Sequence, residues 1–411
     1  MKKLMFVAAV AAVLVGCETV KCPQDSGTTF AREALQPFVD SGELPGAISV
    51  FYQDGVQETC CVGYADVEAK RPITLDDVYM QCSQTKGFCG VTIAMLVEEG
   101  KLKLDDPVSK YIPEFGGDIW VLESETNGVR KLRKAKTPIT VRMVMNHTSG
   151  LPFEMTHYTA MGGWSRRMPL QSAALTATTI PLLFEPGTSV QYSNIGIDIG
   201  AAVVERITGK RWEDFVQERI LDPLGMTSST FWPTEEQLAT RIQLYDQEKG
   251  KVAKWVEYNP SMQPPFGDDR VFSSAGAGLW TTARDQLKFY KMLANLGEGE
   301  NGVRILKAET VKSILAVSTR DPYALRNWGP GGGYSLGLNA PLKDGENEWF
   351  GHGGAWSTNC SVNWHKKQVR LFVVQLSKKD WNWQKPLGDA ATKFFKAREE
   401  SGVSAYTGRM N

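Results

Sequence analysis

Past residue 15 the chain has no apolar run long enough to cross a bilayer as a helix. It has no surplus of either charge. The 46 Lys and Arg equal the 46 Asp and Glu, so no global field favours nucleic acid or an anionic surface as a partner. Histidine is scarce: His147, His157, His352 and His365 show no metal-ligand spacing. The seven cysteines include no Cys-x-x-Cys pair, which argues against a zinc or dithiol motif, and their density is far below that of a disulfide scaffold. There is no internal repeat and no low-complexity tract. No metal and no cofactor is expected. A chain that is 42% apolar and 22% charged is ordinary for a globular protein, and it is long enough for one large composite domain or two intimate ones.

The first residues read as an address. Lys2 and Lys3 precede an apolar stretch from Leu4 to Val15, too short to span a bilayer. The stretch ends Leu14-Val15-Gly16-Cys17, which resembles a bacterial lipobox. That resemblance implies cleavage before Cys17 and lipidation of Cys17; a plain secretory signal with an incidental cysteine is the alternative. The expected division is a signal peptide at 1–16, a lipidated tether at 17–28, a folded domain at 29–398 and a tail at 399–411. The protein would be exported and held to a membrane only by its lipid, in the periplasm or at the cell surface. Export permits disulfides among Cys22, Cys60, Cys61, Cys82, Cys89 and Cys360. Cys60 and Cys61, adjacent on an expected strand, face opposite ways. Cys82 and Cys89 are too far apart along an expected helix to pair with each other. Most of these cysteines read as small buried apolar residues.

The patterning places a helix at Thr29 to Val39, then paired strands at Ala47 to Gln53 and Thr59 to Tyr64 with an Asp54-Gly55 turn. Further helices are expected after Ser83, from Thr140 as a cap, over Asn194 to Thr208 and Arg211 to Ile220, and from Thr282 to Leu296. Strand patterns return at Tyr334 to Leu338, Trp349 to Gly351, Asn359 to His365 and Val369 to Leu376, before a last helix from Pro386 to Arg398. Strands at both ends and helices between imply one sheet built from both termini, with a helical region inserted. The basic run Arg130 to Lys136 reads as a solvated loop or hairpin.

One stretch carries chemistry. Ser83-Gln84-Thr85-Lys86 is the chain's one Ser-x-x-Lys, and an apolar run follows it. On a helix Lys86 lies one turn beyond Ser83 on the same face. A serine hydroxyl needs a neighbour to take its proton, and an amine in a dry pocket can do so. The helix N-terminus adds N–H groups that favour an oxyanion. Two more pieces are required: a proton shuttle and a wall for the substrate's polar end. Tyr192-Ser193-Asn194 follows the sharp turn Glu185-Pro186-Gly187 and offers a phenol, a shuttle if cations lower its pKa, and a carboxamide. His352-Gly353-Gly354 sits in a strand pattern, where paired glycines suggest the close approach of another backbone, such as an extended substrate.

Ser-x-x-Lys, Tyr-x-Asn and His-Gly-Gly in that order resemble the serine β-lactamase and penicillin-binding-protein superfamily, in its class C branch with esterases and D-aminopeptidases. The resemblance covers roughly residues 30 to 398. Met145 to Leu151, Phe184 to Gly187, Leu221 to Met226 and Ala275 to Trp280 also look family-like. It implies an α+β (α/β) architecture of the β-lactamase/transpeptidase type: an antiparallel sheet from both chain ends, flanked by helices, with an inserted helical region. It implies Ser83 as acylated nucleophile, Lys86 as principal base and Tyr192 as proton relay. Asn194 would orient Lys86 and substrate, while His352, Gly353 and Gly354 line the opposite wall. The N–H groups of Ser83 and Ala355 would form the oxyanion hole.

His352 departs from the pattern, because many relatives carry lysine there. An imidazole is charged only part of the time near neutral pH, which weakens the case for substrates with a free carboxylate. The leading expectation is an exported serine hydrolase acting on a small-molecule or peptide ester or amide. A β-lactamase or D,D-peptidase is the alternative within the enzyme class, and a non-catalytic binding or sensor lipoprotein is the alternative outside it.

Overall fold

Thr29 opens the first helix because its hydroxyl accepts the Arg32 N–H, replacing a bond the helix start lacks. The computed structural model describes residues 29–153, 168–255, 270–315, 333–341, 348–377 and 380–400. The expected signal segment, Cys17, Cys22 and His157 lie outside them.

Helix α1 (Phe30–Asp40) leads into strands β1 (Gly46–Gln53), β2 (Val56–Asp66) and β3 (Arg71–Pro72). Asp54 and Gly55 both have positive φ, the conformation a two-residue hairpin turn demands, so the expected turn forms. After β4 (Tyr79–Met80) comes α2 (Thr85–Glu98), closed by Gly100 with Lys101 N–H bonding Leu96 O and Gly100 N–H bonding Val97 O. The inserted region holds a hairpin of β5 (Trp120–Thr126) and β6 (Val129–Lys134), then helices α3 (Val141–Met145), α4 (Leu170–Ala177), α5 (Asn194–Thr208), α6 (Trp212–Val216) and α7 (Glu235–Ala239). A second hairpin of β7 (Tyr245–Glu248) and β8 (Lys251–Trp255) follows, then β9 (Trp280–Thr281), α8 (Ala283–Ala294) and α9 (Ala308–Leu315). The chain returns through β10 (Phe350–Gly353), β11 (Asn359–Asn363) and β12 (Gln368–Val373) to α10 (Gln384–Glu400).

Both ends meet in one antiparallel sheet of order β10-β11-β12-β1-β2-β3, with Val50 opposite Leu371 and Ile48 opposite Cys61. Alternation divides its residues. Ile48, Val50, Cys61 and Leu371 join the core shared with α2 and α8. Ala47, Phe51, Cys60 and Phe372 join a second core under α1 and α10. Cys60 and Cys61 thus enter different layers, as their adjacency requires. With Cys82, Cys89 and Cys360 they are buried, and no disulfide joins any two of them.

The basic run is a hairpin arm whose charges are met locally: Lys131 by Glu123, Arg130 by Glu125, Lys134 by Asp118 and Arg133 by Glu185. Arg211 to Ile220 begins as α6 and continues as a π-helical turn at Gln217–Leu221. Tyr334 to Leu338 is not a strand. It is a bend closed by the bridge from Tyr334 to Asn339. Its alternating apolar residues serve packing on α2, not a ladder. A Cβ on Gly90 would lie 2.0 Å from Leu336 O, one on Gly87 would lie 2.9 Å from Leu338 Cδ2, and one on Gly337 would lie 2.1 Å from Lys86 O. Three glycines therefore let this bend press onto the helix that carries Lys86, and they fix where Tyr334 stands.

Candidate active site

Ser83 sits on a single 3-10 turn, Cys82–Gln84, that runs directly into α2. The turn is anchored from three sides. Thr85 Oγ1 donates to Cys82 O at 2.7 Å and accepts the Leu279 N–H at 3.2 Å. Gln84 Nε2 donates to the His352 carbonyl at 3.0 Å, tying the turn to β10. Gln286 of α8 donates to Gln84 Oε1 at 2.7 Å and to Gln81 Oε1 at 3.0 Å. These three buried glutamines are polar side chains in a core, held by hydrogen bonds that leave only the Gln81 Nε2 without a partner among the described residues.

Lys86 is fully buried, and its Nζ lies 3.2 Å from Ser83 Oγ, 2.6 Å from Asn194 Oδ1 and 2.6 Å from the Gly276 carbonyl. Two short contacts are to pure acceptors; the third is to a hydroxyl that can also donate. Asn194 and Gly276 each take one N–H of the amine, which leaves its remaining position directed at Ser83. Asn194 is the first residue of α5, whose cap is Ser193: its hydroxyl accepts Gly196 N–H at 3.0 Å and donates to Pro152 O at 2.7 Å. That cap fixes Tyr192 and Asn194 on either side of it. Gly276 must be glycine, since a Cβ there would come 2.9 Å from Asn194 Oδ1.

The ring of Tyr192 presents its face to Lys86, with Nζ 4.7 Å from the centroid, and Ser83 lies near enough to the phenol to lower its pKa. The serine, the amine and the phenol therefore share one cleft. The condition set from the sequence, that cations lower the Tyr192 pKa, is not found. Burial pushes it well above the ordinary tyrosine range, outweighing the lowering by Ser83. Exposed Phe153 stacks on the Tyr192 ring at 5.7 Å and forms an apolar lip beside it.

His352 is buried on β10. Its Nδ1 donates to Gly353 O at 2.6 Å, so Nε2 is the acceptor. That nitrogen takes the Tyr334 hydroxyl at 3.0 Å and has the Tyr192 hydroxyl 3.4 Å away. Burial first, and then the charge at Lys86, push the imidazole down to about 3. The part-time cation expected from the sequence is a neutral ring. Gly354 is required by the protein itself, because a Cβ would meet Gln81 O at 2.5 Å; the backbone it admits is that of the nucleophile's own turn. Gly353 is the last residue of β10, and Ala355 is exposed in the turn beyond, where Gly354 N–H bonds Thr358 O at 2.7 Å.

His147 lies behind the cleft, its ring 4.5 Å from that of Tyr192 and 4.3 Å from that of Tyr334. Its Nδ1 accepts the Ser193 N–H at 3.2 Å, the structural hydrogen bond expected of this loop. Burial holds it well below the usual histidine range. Among the described residues no group of three or more His, Cys, Asp or Glu is placed to hold a metal ion. Sequence reasoning missed Tyr334, Gly276, Gln81 and Gln286. Gly276 stood in the family-like phrase Ala275 to Trp280, while the other three carried no local signal.

The chain is similar to known proteins over most of its length. A family model described as Beta-lactamase matches residues 31–391. Protein Rv1367c of Mycobacterium tuberculosis is 31% identical over 292 residues, covering 68% of this chain and 70% of that protein. Lovastatin esterase of Penicillium rubens is 31% identical over 293 residues, covering 66% and 68% respectively. The fold is similar to that of simvastatin synthase from Aspergillus terreus (a LovD6 mutant), with a TM-score of 0.75 at 23% identity over 92% of this chain and 100% of that one.

Proposed function

The chain belongs to the β-lactamase family, and on that premise we propose that it is a serine hydrolase cleaving an ester or amide through an acyl-enzyme on Ser83. The observation that carries this is the position of Lys86 Nζ, held by Asn194 Oδ1 and Gly276 O while facing the nucleophile. Ser83 Oγ attacks the substrate carbonyl and its proton passes to Lys86 Nζ, which acts as base once it has released its own proton. Tyr192, a neutral phenol in the resting site, gives its proton to the leaving oxygen or nitrogen and regains one from Lys86. Water then attacks the acyl-serine by the reverse relay, releasing the acid. The N–H groups of Ser83 and Ala355 serve as oxyanion donors, and Gly353 and Gly354 line the facing wall.

Neutral His352 gives the cleft an acceptor and no cation, so substrate recognition does not depend on a free carboxylate. This favours simple acyl esters and amides over β-lactams and stem peptides. A lovastatin esterase among the relatives supports the same direction. Labelling separates the readings. An activated phosphonate should mark the wild-type chain and not Ser83→Ala, with a fluorescent penicillin marking neither. Labelling by the penicillin would move the assignment to β-lactams or cell-wall peptides, and silence with both probes would leave a binding protein.

The charged start, the apolar stretch to Val15 and Gly16-Cys17 support export and lipid anchoring at Cys17. Labelled palmitate should enter the wild-type protein in a bacterial host and be absent from Cys17→Ala. Incorporation that survives the substitution would remove the anchor from this reading.

A further inference from the structure

On the sheet face turned away from Lys86, β11, β12 and α10 enclose a cavity of about 320 Å³. Its volume lies at the small end of the range for ligand pockets. The walls are mostly aromatic and aliphatic: Phe51 and Phe372 from the sheet, Leu387 from α10, and the indoles of Trp381 and Trp383. The space exists because α10 carries Gly388 and Ala391 here, whereas Phe394 and Phe395 fill the same layer further along.

One cation lines this apolar space. The Arg370 guanidinium lies over Trp349, 3.7 Å from the ring centroid, and feels the charge of Glu348, yet among the described residues no hydrogen bond or close ion pair holds it. Its Nε is shut off from water without an acceptor, and so is the indole N–H of Trp383. Unmet buried donors are rare in folded proteins because each loses its water without a replacement partner. A carboxylate offers paired oxygens that suit a guanidinium edge.

We propose that this cavity binds a small apolar monocarboxylate, its carboxylate on Arg370 and its hydrocarbon body among Trp381, Trp383 and Leu387. The site is independent of the Ser83 chemistry. It shares Gly353 and Gly354 with the wall of the catalytic cleft, so an occupant touches the same strand end from the other side.

The test is calorimetric titration of octanoate, with octanamide as neutral control, into the full-length chain carrying Ser83→Ala. Octanoate should bind, octanamide should bind at least about tenfold more weakly, and Arg370→Gln should reduce octanoate affinity by about tenfold or more. Gly388→Leu should abolish binding by filling the space. That variant is expected to fold, because nothing lies within 4 Å of a Cβ at residue 388 and a helix prefers leucine to glycine. It decides the matter even if Arg370→Gln proves unstable. No binding to the parent chain, equal binding of octanamide, or octanoate binding that survives Gly388→Leu would each overturn the proposal. The last result would place the acid in the catalytic cleft instead.

Discussion

Acid should destabilise this protein before its carboxylates titrate, and His352 should account for a measurable share. In the unfolded chain a histidine takes up a proton near pH 6.5. In the fold His352 resists protonation until about pH 3, because burial and the charge at Lys86 both oppose a second cation. Between those values the unfolded state binds a proton that the native state does not, so stability falls as pH falls. The loss approaches about 1.4 kcal/mol per pH unit, or about 2 kcal/mol between pH 6.5 and pH 5. His147, held low for the same reason, contributes in the same direction. Urea unfolding of the wild type and His352→Gln at pH 7, 6, 5.5 and 5 isolates the His352 share. Glutamine keeps a hydrogen-bonding side chain and cannot titrate in this window. The variant should lose about 2 kcal/mol less than the wild type over that range, whatever its stability at pH 7. Parallel curves for the two proteins would mean that His352 charges inside the fold, and the argument that the cleft lacks a cation at that wall would fail with it.

Further outcomes follow from the same geometry. Lys86→Met should lower kcat/KM for a p-nitrophenyl ester by about a thousandfold or more, since it removes the base and leaves Asn194 Oδ1 and Gly276 O without their donor. Retention of a tenth of the activity would reassign the base. Tyr334→Phe deletes a buried hydroxyl bonded to His352 Nε2 and frees that acceptor to draw the Tyr192 hydroxyl away from Ser83. We expect kcat to fall about tenfold with KM nearly unchanged, an effect of about 1.4 kcal/mol on the transition state alone. An effect on KM alone would make Tyr334 a binding group. Gly90→Ala puts a methyl 2.0 Å from Leu336 O and should lower unfolding stability by about 1–3 kcal/mol in a denaturant titration. A neutral result there would show that the 334–339 bend moves freely over α2.

The parts readable from sequence are those whose signal is local. The Thr140 cap and the Asp54-Gly55 turn each depend on a few neighbouring residues, and each forms as expected; Thr29 and Thr282, expected as the first residues of their helices, cap them instead. The cleft was legible where a short motif placed two groups together, as with Ser83 and Lys86 or Tyr192 and Asn194. Two kinds of information were hidden. Tyr334 to Leu338 alternates like a strand, but its apolar residues pack on Gly87 and Gly90, a contact between segments that no periodicity records. The protonation states were hidden too. His352 and Tyr192 are set by burial and, for His352, by the charge at Lys86, and these exist only once the segments have met.

Intact-mass and peptide-mapping spectrometry of the enzyme quenched within milliseconds of mixing with an activated acyl ester reads the acylated residue itself. The account predicts one acyl group on the wild-type chain, carried by the peptide containing Ser83 and lost on further incubation as water regenerates the serine. An acyl group on any other residue, or turnover with no covalent species in wild type and slowly deacylating variants alike, would contradict it.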